Sequence, residues 1–312
     1  MITRSLKPKF ACLVPTYSIV AYDFETRELG VAVQSRYFSV GSVVPWAEAG
    51  VGAIATQSFV NVSYGPRGLE LLKRGLTARE VVDKLVGEDE GRDYRQLGIV
   101  DARGNAAAYT GVKCLEWAGG ETGRGYSVQG NILASEEVVR AMAEAYEAAK
   151  GNFAERLVAT LEASDRAGGD ARGRQSSALL VVKEGCGRGG YGDRLIDLRV
   201  EDHPDPVGEL KRLLNLHKVY YLIDEAESQF TQGKQEEAVS HIEEALKINP
   251  KCDDAYLDLG LIYLKAKKPR EAAEAFRKAI EINPKITAVI KQIPKLGLVD
   301  VSEDFWRKLG FM

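Results

Sequence analysis

Short apolar runs with the spacing of β-strands open the chain: Thr16 to Tyr22, Leu29 to Gln34 and Gly52 to Gln57. Each is apolar nearly throughout or alternates, as strands of a covered sheet do. Helical patterns follow at Arg67 to Arg74 and Ala78 to Val86, the second with Thr77 placed as its cap. Strands are predicted again at Gln96 to Asp101 and Ala106 to Thr110, joined by the turn Arg103-Gly104-Asn105. Helices Glu136 to Ala149 and Phe153 to Ala163 then lead to strands Ser177 to Lys183 and Leu195 to Val200. Strands, paired helices and strands again suit an α+β domain of sheets covered by helix layers.

Beyond residue 205 the pattern turns helical and repeats. Ala238, Ala245, Ile248, Asn249 and Pro250 recur 34 residues later as Ala272, Ala279, Ile282, Asn283 and Pro284, the tetratricopeptide period. In the second copy Tyr256, Leu259, Gly260, Tyr263 and Phe276 also fall in register; the first copy is looser, with Leu222, Ala226, Gln229 and Ile242. Small residues at these spacings let antiparallel helices approach closely, and each proline ends the helix before it. Two repeats are fewer than the roughly three that bury a continuous core, so something must cover their ends. Candidates are a helix opening at Asp205-Pro206, with Asp as cap and Pro at the first helical position, and the tail with Val289, Ile293, Leu296, Phe305 and Trp306. The expected organisation is an extension (1–15), an α+β domain (16–204), a connecting helix (205–216), two repeats (217–284) and a capping segment (285–312). The repeats offer a groove for a protein partner; a homo-oligomer held by the same appendage is the alternative.

Composition narrows the function classes. The 312 residues are 45% hydrophobic and 28% charged, the balance of a globular rather than a disordered chain. Net charge is −3; residues 217–284 hold 10 Lys and Arg against 13 Asp and Glu, and the remainder balances. With no basic domain, nucleic acid is not an expected partner. No run reaches membrane-span length, so no membrane is expected either. The four cysteines lie far apart with no C-x-x-C pair, which suits a reducing compartment and a cytoplasmic location. Arg4, Lys7 and Lys9 precede an apolar patch at Phe10 to Val14. That patch is shorter than the roughly 7 residues a signal peptide needs, and no A-x-A-like site follows.

Chemistry is constrained by what is missing. The only histidines, His203, His217 and His241, follow the last predicted strand, which excludes a histidine triad from the first domain. No H-E-x-x-H, paired cysteines or D-x-D-x-D-G loop appears, so no metal and no cofactor is expected. Gly185-Cys186-Gly187-Arg188-Gly189-Gly190 fits G-x-G-x-x-G in form but opens into a strand, and reads as a hairpin connection. Two polar clusters remain, Thr56 to Gly65 and Gly168 to Ser177, together with Arg36 and Gln129-Gly130-Asn131. Thr16 heads the first long strand. Threonine is a weak nucleophile unless a base sits beside it, and a threonine at a chain start carries that base as its own α-amine. Here fifteen residues precede it, so the expectation is processing between Pro15 and Thr16, a misassigned start, or loss of this chemistry.

Residues 16 to about 217 resemble an uncharacterised family of N-terminal-nucleophile (Ntn) hydrolase-like proteins, domain of unknown function number ten twenty-eight. The stretches that carry the resemblance are Thr16 to Ala21, Gly30 to Arg36, Val43 to Ala47, Gly52 to Ser58, Ser127 to Leu133 and Gly173 to Ser176. It implies a four-layer αββα sandwich and an amidase-type activity on a small-molecule or peptide amide. On that footing Thr16 is the expected nucleophile. Arg36 would tune its amine or hold a substrate carboxylate, Asn131 or the backbone near Gly130 would face the oxyanion, and Asp170, Arg174 and Ser176 would orient the amine. The alternative is a non-catalytic scaffold that works through its repeats.

Overall fold

The computed structural model describes residues 12–187, 190–296 and 303–308. The chain divides into two compact units, Met1–Leu214 and Asn215–Met312.

The first unit is mixed α+β, built on two antiparallel sheets. Strands β1 (Leu13–Val14), β2 (Thr16–Tyr22), β3 (Leu29–Ser35), β4 (Pro45–Glu48) and β5 (Gly52–Phe59) come first, then helices α1 (Tyr64–Lys73) and α2 (Ala78–Gly87). Strands β6 (Arg95–Asp101), β7 (Ala106–Thr110), β8 (Gly119–Gly123) and β9 (Tyr126–Gly130) follow, then α3 (Glu137–Ala148), α4 (Phe153–Arg166), β10 (Ser176–Val182) and β11 (Arg194–Val200). One sheet has the order β1-β5-β6-β7, with β4 also on β5; the other has the order β11-β10-β3-β2-β9-β8.

Alternation along each strand sorts its side chains between two environments. Ile19, Ala21, Ala32, Val128, Leu179 and Val181 pack with Met142, Leu157 and Leu161 of α3 and α4. Ile54, Leu97 and Ile99 pack with Leu72, Val81 and Leu85 of α1 and α2. The intervening residues, Val20, Val31, Val33 and Leu180 from one sheet and Ala53, Ala55 and Val100 from the other, form a third buried cluster. Each sheet thus has a helix pair on one side and apolar contact with the other sheet on its opposite side. Thr77 caps α2 as expected, in a capping box: its Oγ1 accepts from the Glu80 N–H at 3.3 Å and Glu80 Oε2 accepts from its N–H at 2.8 Å. The hairpin β10–β11 pairs Ser177 with Val200; of its glycine-rich connection, Arg188 and Gly189 lie outside the described residues.

Helix α5 runs unbroken from Pro206 to Thr231, so the expected separate connecting helix at 205–216 is the first part of a longer one. Asp205 caps it, Oδ1 accepting from the Gly208 N–H at 3.2 Å. In the second unit α5 is followed by α6 (Gln235–Ile248), α7 (Asp253–Lys265) and α8 (Pro269–Ile282). Ala226, Ala238, Ala245, Ala255, Ala272 and Ala279 are completely buried where the helices meet. Gly260 matters for the same reason: a Cβ there would lie 2.4 Å from the Phe276 ring. In the tail, Ile290, Ile293, Phe305 and Trp306 join the buried cluster around Phe276, while Val289 stays half exposed. No helix among the described residues is long and apolar enough to cross a membrane.

Candidate functional site

Three strands of the six-stranded sheet bring one polar residue each to a common row, which the residue following a fourth strand, β9, joins. Thr16 and Ser176 both pair with Ser35, and the Asn131 N–H donates to the Thr16 carbonyl at 3.0 Å. Ser176, Ser35 and Thr16 point to the face that carries Val33 and Val20, toward the other sheet. All four residues are completely buried.

The segment before Thr16 lies beside this row. Leu13 and Val14 pair with Phe59 and Ser58 of β5 in the five-stranded sheet, whereas Thr16 begins β2 in the six-stranded one. Pro15 alone makes the crossing. Thr16 Oγ1 donates to the Val14 carbonyl at 2.9 Å. The Pro15 carbonyl accepts from Ser35 Oγ at 2.5 Å and from Arg172 Nη2 at 3.4 Å. The acyl group on the Thr16 nitrogen therefore has its oxygen between a hydroxyl and a guanidinium, the kind of donors that stabilise an oxyanion.

Below the row, buried amides link the two sheets. Ser127 Oγ donates to Gln129 Oε1, Gln129 Nε2 donates to Ser18 Oγ, and Ser18 Oγ donates to Gln57 Oε1, at 2.7, 2.7 and 2.6 Å. Gln57 Nε2 reaches the Thr16 carbonyl at 3.2 Å and Gln96 Oε1 at 2.9 Å. Gln96 Nε2 donates to the Gly130 carbonyl at 2.7 Å. Gly98 makes room for this network, because a Cβ there would lie 2.1 Å from Gln129 Oε1. Satisfied in this way, buried neutral amides hold the Thr16 backbone without an isolated charge.

The charged residues sit beside the row. Asp170 is buried and binds Arg172 twice, Nε to Oδ1 at 3.1 Å and Nη2 to Oδ2 at 2.7 Å. Its Oδ2 also accepts from the Arg36 N–H at 3.2 Å. The Arg36 side chain is exposed, with Nη1 donating to the Arg174 carbonyl. Arg174 pairs with Asp165 at 3.3 Å and Asp205 at 3.6 Å. Asp165 accepts from the Tyr17 hydroxyl at 2.5 Å, and Tyr17 faces the helices. Burial, then Asp165, push the Tyr17 hydroxyl well above its ordinary range. Burial also raises Asp165, against the hydrogen bond from Tyr17 and the charge of Arg174.

Of the six residues singled out from sequence, the structure brings Thr16, Asn131 and Ser176 into one row and places Asp170 next to it. Asn131 Nδ2 donates to Gln96 Oε1 at 2.8 Å, and its buried Oδ1 has no partner among the described residues. Arg174 is drawn to Asp165 and Asp205, and Arg172 occupies the place beside Pro15. Ser176 Oγ is likewise committed, donating to the Tyr37 carbonyl and accepting from the Val40 N–H. Ser35 and Gln96 were missed, and Gln57 and Arg172 lay within the two polar clusters without an assigned role. The available signal was a serine and two glutamines placed where strand alternation calls for inward apolar residues. Among the described residues no group of three or more His, Cys, Asp and Glu could hold a metal ion.

Residues 16–210 match the family described as "Family of unknown function (DUF1028)", and residues 223–285 match a tetratricopeptide repeat. The chain belongs to the DUF1028 family. The crystal structure of protein SPO2555 from Silicibacter pomeroyi, another DUF1028 protein, is 33% identical, with a TM-score of 0.59 over 64% of this chain and 84% of that one. No curated protein matches.

Proposed function

We propose that this DUF1028 protein is a latent Ntn-type amidohydrolase of the four-layer αββα class, joined to a tetratricopeptide module that binds a protein partner. The observation that carries the enzyme reading is the grip of Ser35 Oγ and Arg172 Nη2 on the Pro15 carbonyl. Once the segment through Pro15 is removed, Thr16 has a free amine, with an ordinary pKa of about 7.7 to 8.0 that suits a general base. The amine takes the hydroxyl proton as Oγ1 attacks a substrate amide carbonyl. Ser35 and Arg172 hold the developing oxyanion where they now hold Pro15, and the leaving amine departs with the proton. Water then hydrolyses the ester on Thr16. The unpartnered Asn131 Oδ1 is an acceptor for the Thr16 amine.

A second reading, a non-catalytic scaffold, is favoured by a different observation. In the chain described here the Thr16 nitrogen belongs to a peptide bond, and β1 seals the residue from solvent. One experiment separates the two. Intact mass of protein from its native source is expected to show a species beginning at Thr16. That species should react with an electrophile that traps hydroxyl and amine together, and Thr16→Ala should abolish labelling while staying folded. Full-length mass in every preparation, or labelling unchanged in Thr16→Ala, replaces the enzyme with the scaffold.

A further inference from the structure

The repeat unit carries an open groove whose chemistry points to its occupant. On α5, Tyr220, Asp224, Glu227 and Thr231 recur at i, i+4, i+7 and i+11 and share one face. On α7, Asp254, Asp258, Leu261 and Lys265 have the same spacing. The two stripes face each other: the Tyr220 hydroxyl donates to Asp254 Oδ2 at 2.8 Å, and a cleft of about 230 Å³ lies between Glu227, Phe230 and Thr231 on one side and Asp258, Leu261 and Lys265 on the other.

The walls are apolar, and the charged groups of the two stripes are four carboxylates, Asp224, Glu227, Asp254 and Asp258, against one lysine, Lys265. Phe230 and Leu261 supply hydrocarbon, and Tyr220 presents 41% of its surface to solvent. Lys265 is the cation of the cleft lining, and its Nζ stands 5.0 Å over the Phe230 ring. Glu227 and Asp258 have no ion pair among the described residues. Burial, and then the charges of Glu227, Asp254 and Asp224, push the Asp258 carboxyl up to about 7. A divalent metal would need a compact cluster, and none is present among the described residues. Carboxylates spaced along a groove with hydrocarbon between them instead suit long side chains with an aliphatic stem and a cationic head.

We propose that the groove between α5 and α7 binds an extended, lysine- or arginine-bearing segment of a protein partner, its cations set against Glu227 and Asp258 and its stems on Phe230 and Leu261. The inference rests on the reading of the repeats as a partner-binding module and is independent of the hydrolase. Complementary charge gives the class of partner and the speed of encounter, while the apolar walls and the exposed Tyr220 give area.

The test uses the full chain and fluorescence anisotropy with three labelled peptides, in which leucine alternates with lysine, serine or glutamate. The lysine peptide is expected to bind, to weaken as salt is added, and to lose affinity on the order of tenfold in Asp258→Asn/Glu227→Gln, roughly one charge-assisted contact. Glu227 is exposed, so Glu227→Lys gives a second variant that spares the core. It should abolish lysine-peptide binding while the chain keeps a cooperative helical melt. Equal binding of the serine and lysine peptides overturns the charge assignment and leaves the partner reading standing. No binding of any peptide, or unchanged affinity in both variants, overturns the groove itself.

Discussion

Asp89 and Asp258 show how differently the two units treat a carboxylate withdrawn from water. In the first unit Asp89 accepts from Arg95 Nε at 2.9 Å, Asn61 Nδ2 at 3.1 Å, the Tyr64 hydroxyl at 2.9 Å and the Gly91 N–H. Burial raises its pKa, but these bonds, Arg95 first, outweigh burial and bring it to about 2. In the second unit Asp258 has burial, the neighbouring charges of Glu227, Asp254 and Asp224, and no ion pair among the described residues, and rises to about 7. The same contrast holds for neutral groups. The glutamines between the sheets satisfy one another, whereas the carboxylates of the repeat groove face outward into a cleft. One unit uses buried polarity to fix a backbone, and the other lines a cleft with carboxylates that have no such network.

The largest expected effect tests whether the glutamine network is structural in that sense. Gln96→Leu removes the acceptor for Gln57 Nε2 and Asn131 Nδ2 and the donor to the Gly130 carbonyl. Stranding several buried groups at roughly 1 to 3 kcal/mol each predicts a loss of about 3 kcal/mol or more in urea unfolding of the first unit. A loss below about 1 kcal/mol would mean the network is not what holds β2, and the comparison would fail.

Asp89→Asn sharpens it at intermediate size. Losing a half-buried charge that accepts four hydrogen bonds is expected to cost about 2 kcal/mol at pH 7. A depressed pKa stabilises above the unfolded value, here near 3.8, and that stability is lost as pH falls toward about 2. The gap between wild type and variant should therefore be full at pH 5 and above and close through that acid window. A pH-independent gap would show that shape rather than charge is responsible.

What could be read in advance follows the same division. The repeats were legible because packing imposes a 34-residue period on residue identity: Ala245 and Ala279 are small since two helices touch there. The long strands were legible because Val31 and Val33 must be apolar under two layers. Strand β8 was invisible, since Gly119-Gly120-Glu121-Thr122-Gly123 has no strand-like composition and is held by pairing to β9. Strand β1 is two residues long and exists through its register with β5. The site was legible one residue at a time. Thr16 and Asp170 stood out, but Ser35 and Arg172 act on the carbonyl of Pro15, and no local pattern encodes a contact between residues 20 and 157 positions apart.

The smallest effect runs in the opposite direction and completes the contrast. A raised carboxyl prefers its proton in the folded state, so the folded repeat unit holds more protons than the unfolded chain between the unfolded value of 3.8 and the folded value of about 7. Its stability should rise as pH falls from about 7 toward 4, where Asp89 leaves the first unit nearly unaffected. Asp258→Asn removes the titration, so the pH dependence of the helical melt should flatten, with the variant gaining most at pH 8. The groups facing Asp258 are Asp224 and Glu227 on α5 and Asp254 on its own helix. Weakening their repulsion by Glu227→Gln should shift the dependence part of the way. If the repeat unit instead loses stability on mild acidification, Asp258 is paired with a cation after all, and both the contrast with Asp89 and the open groove must be abandoned.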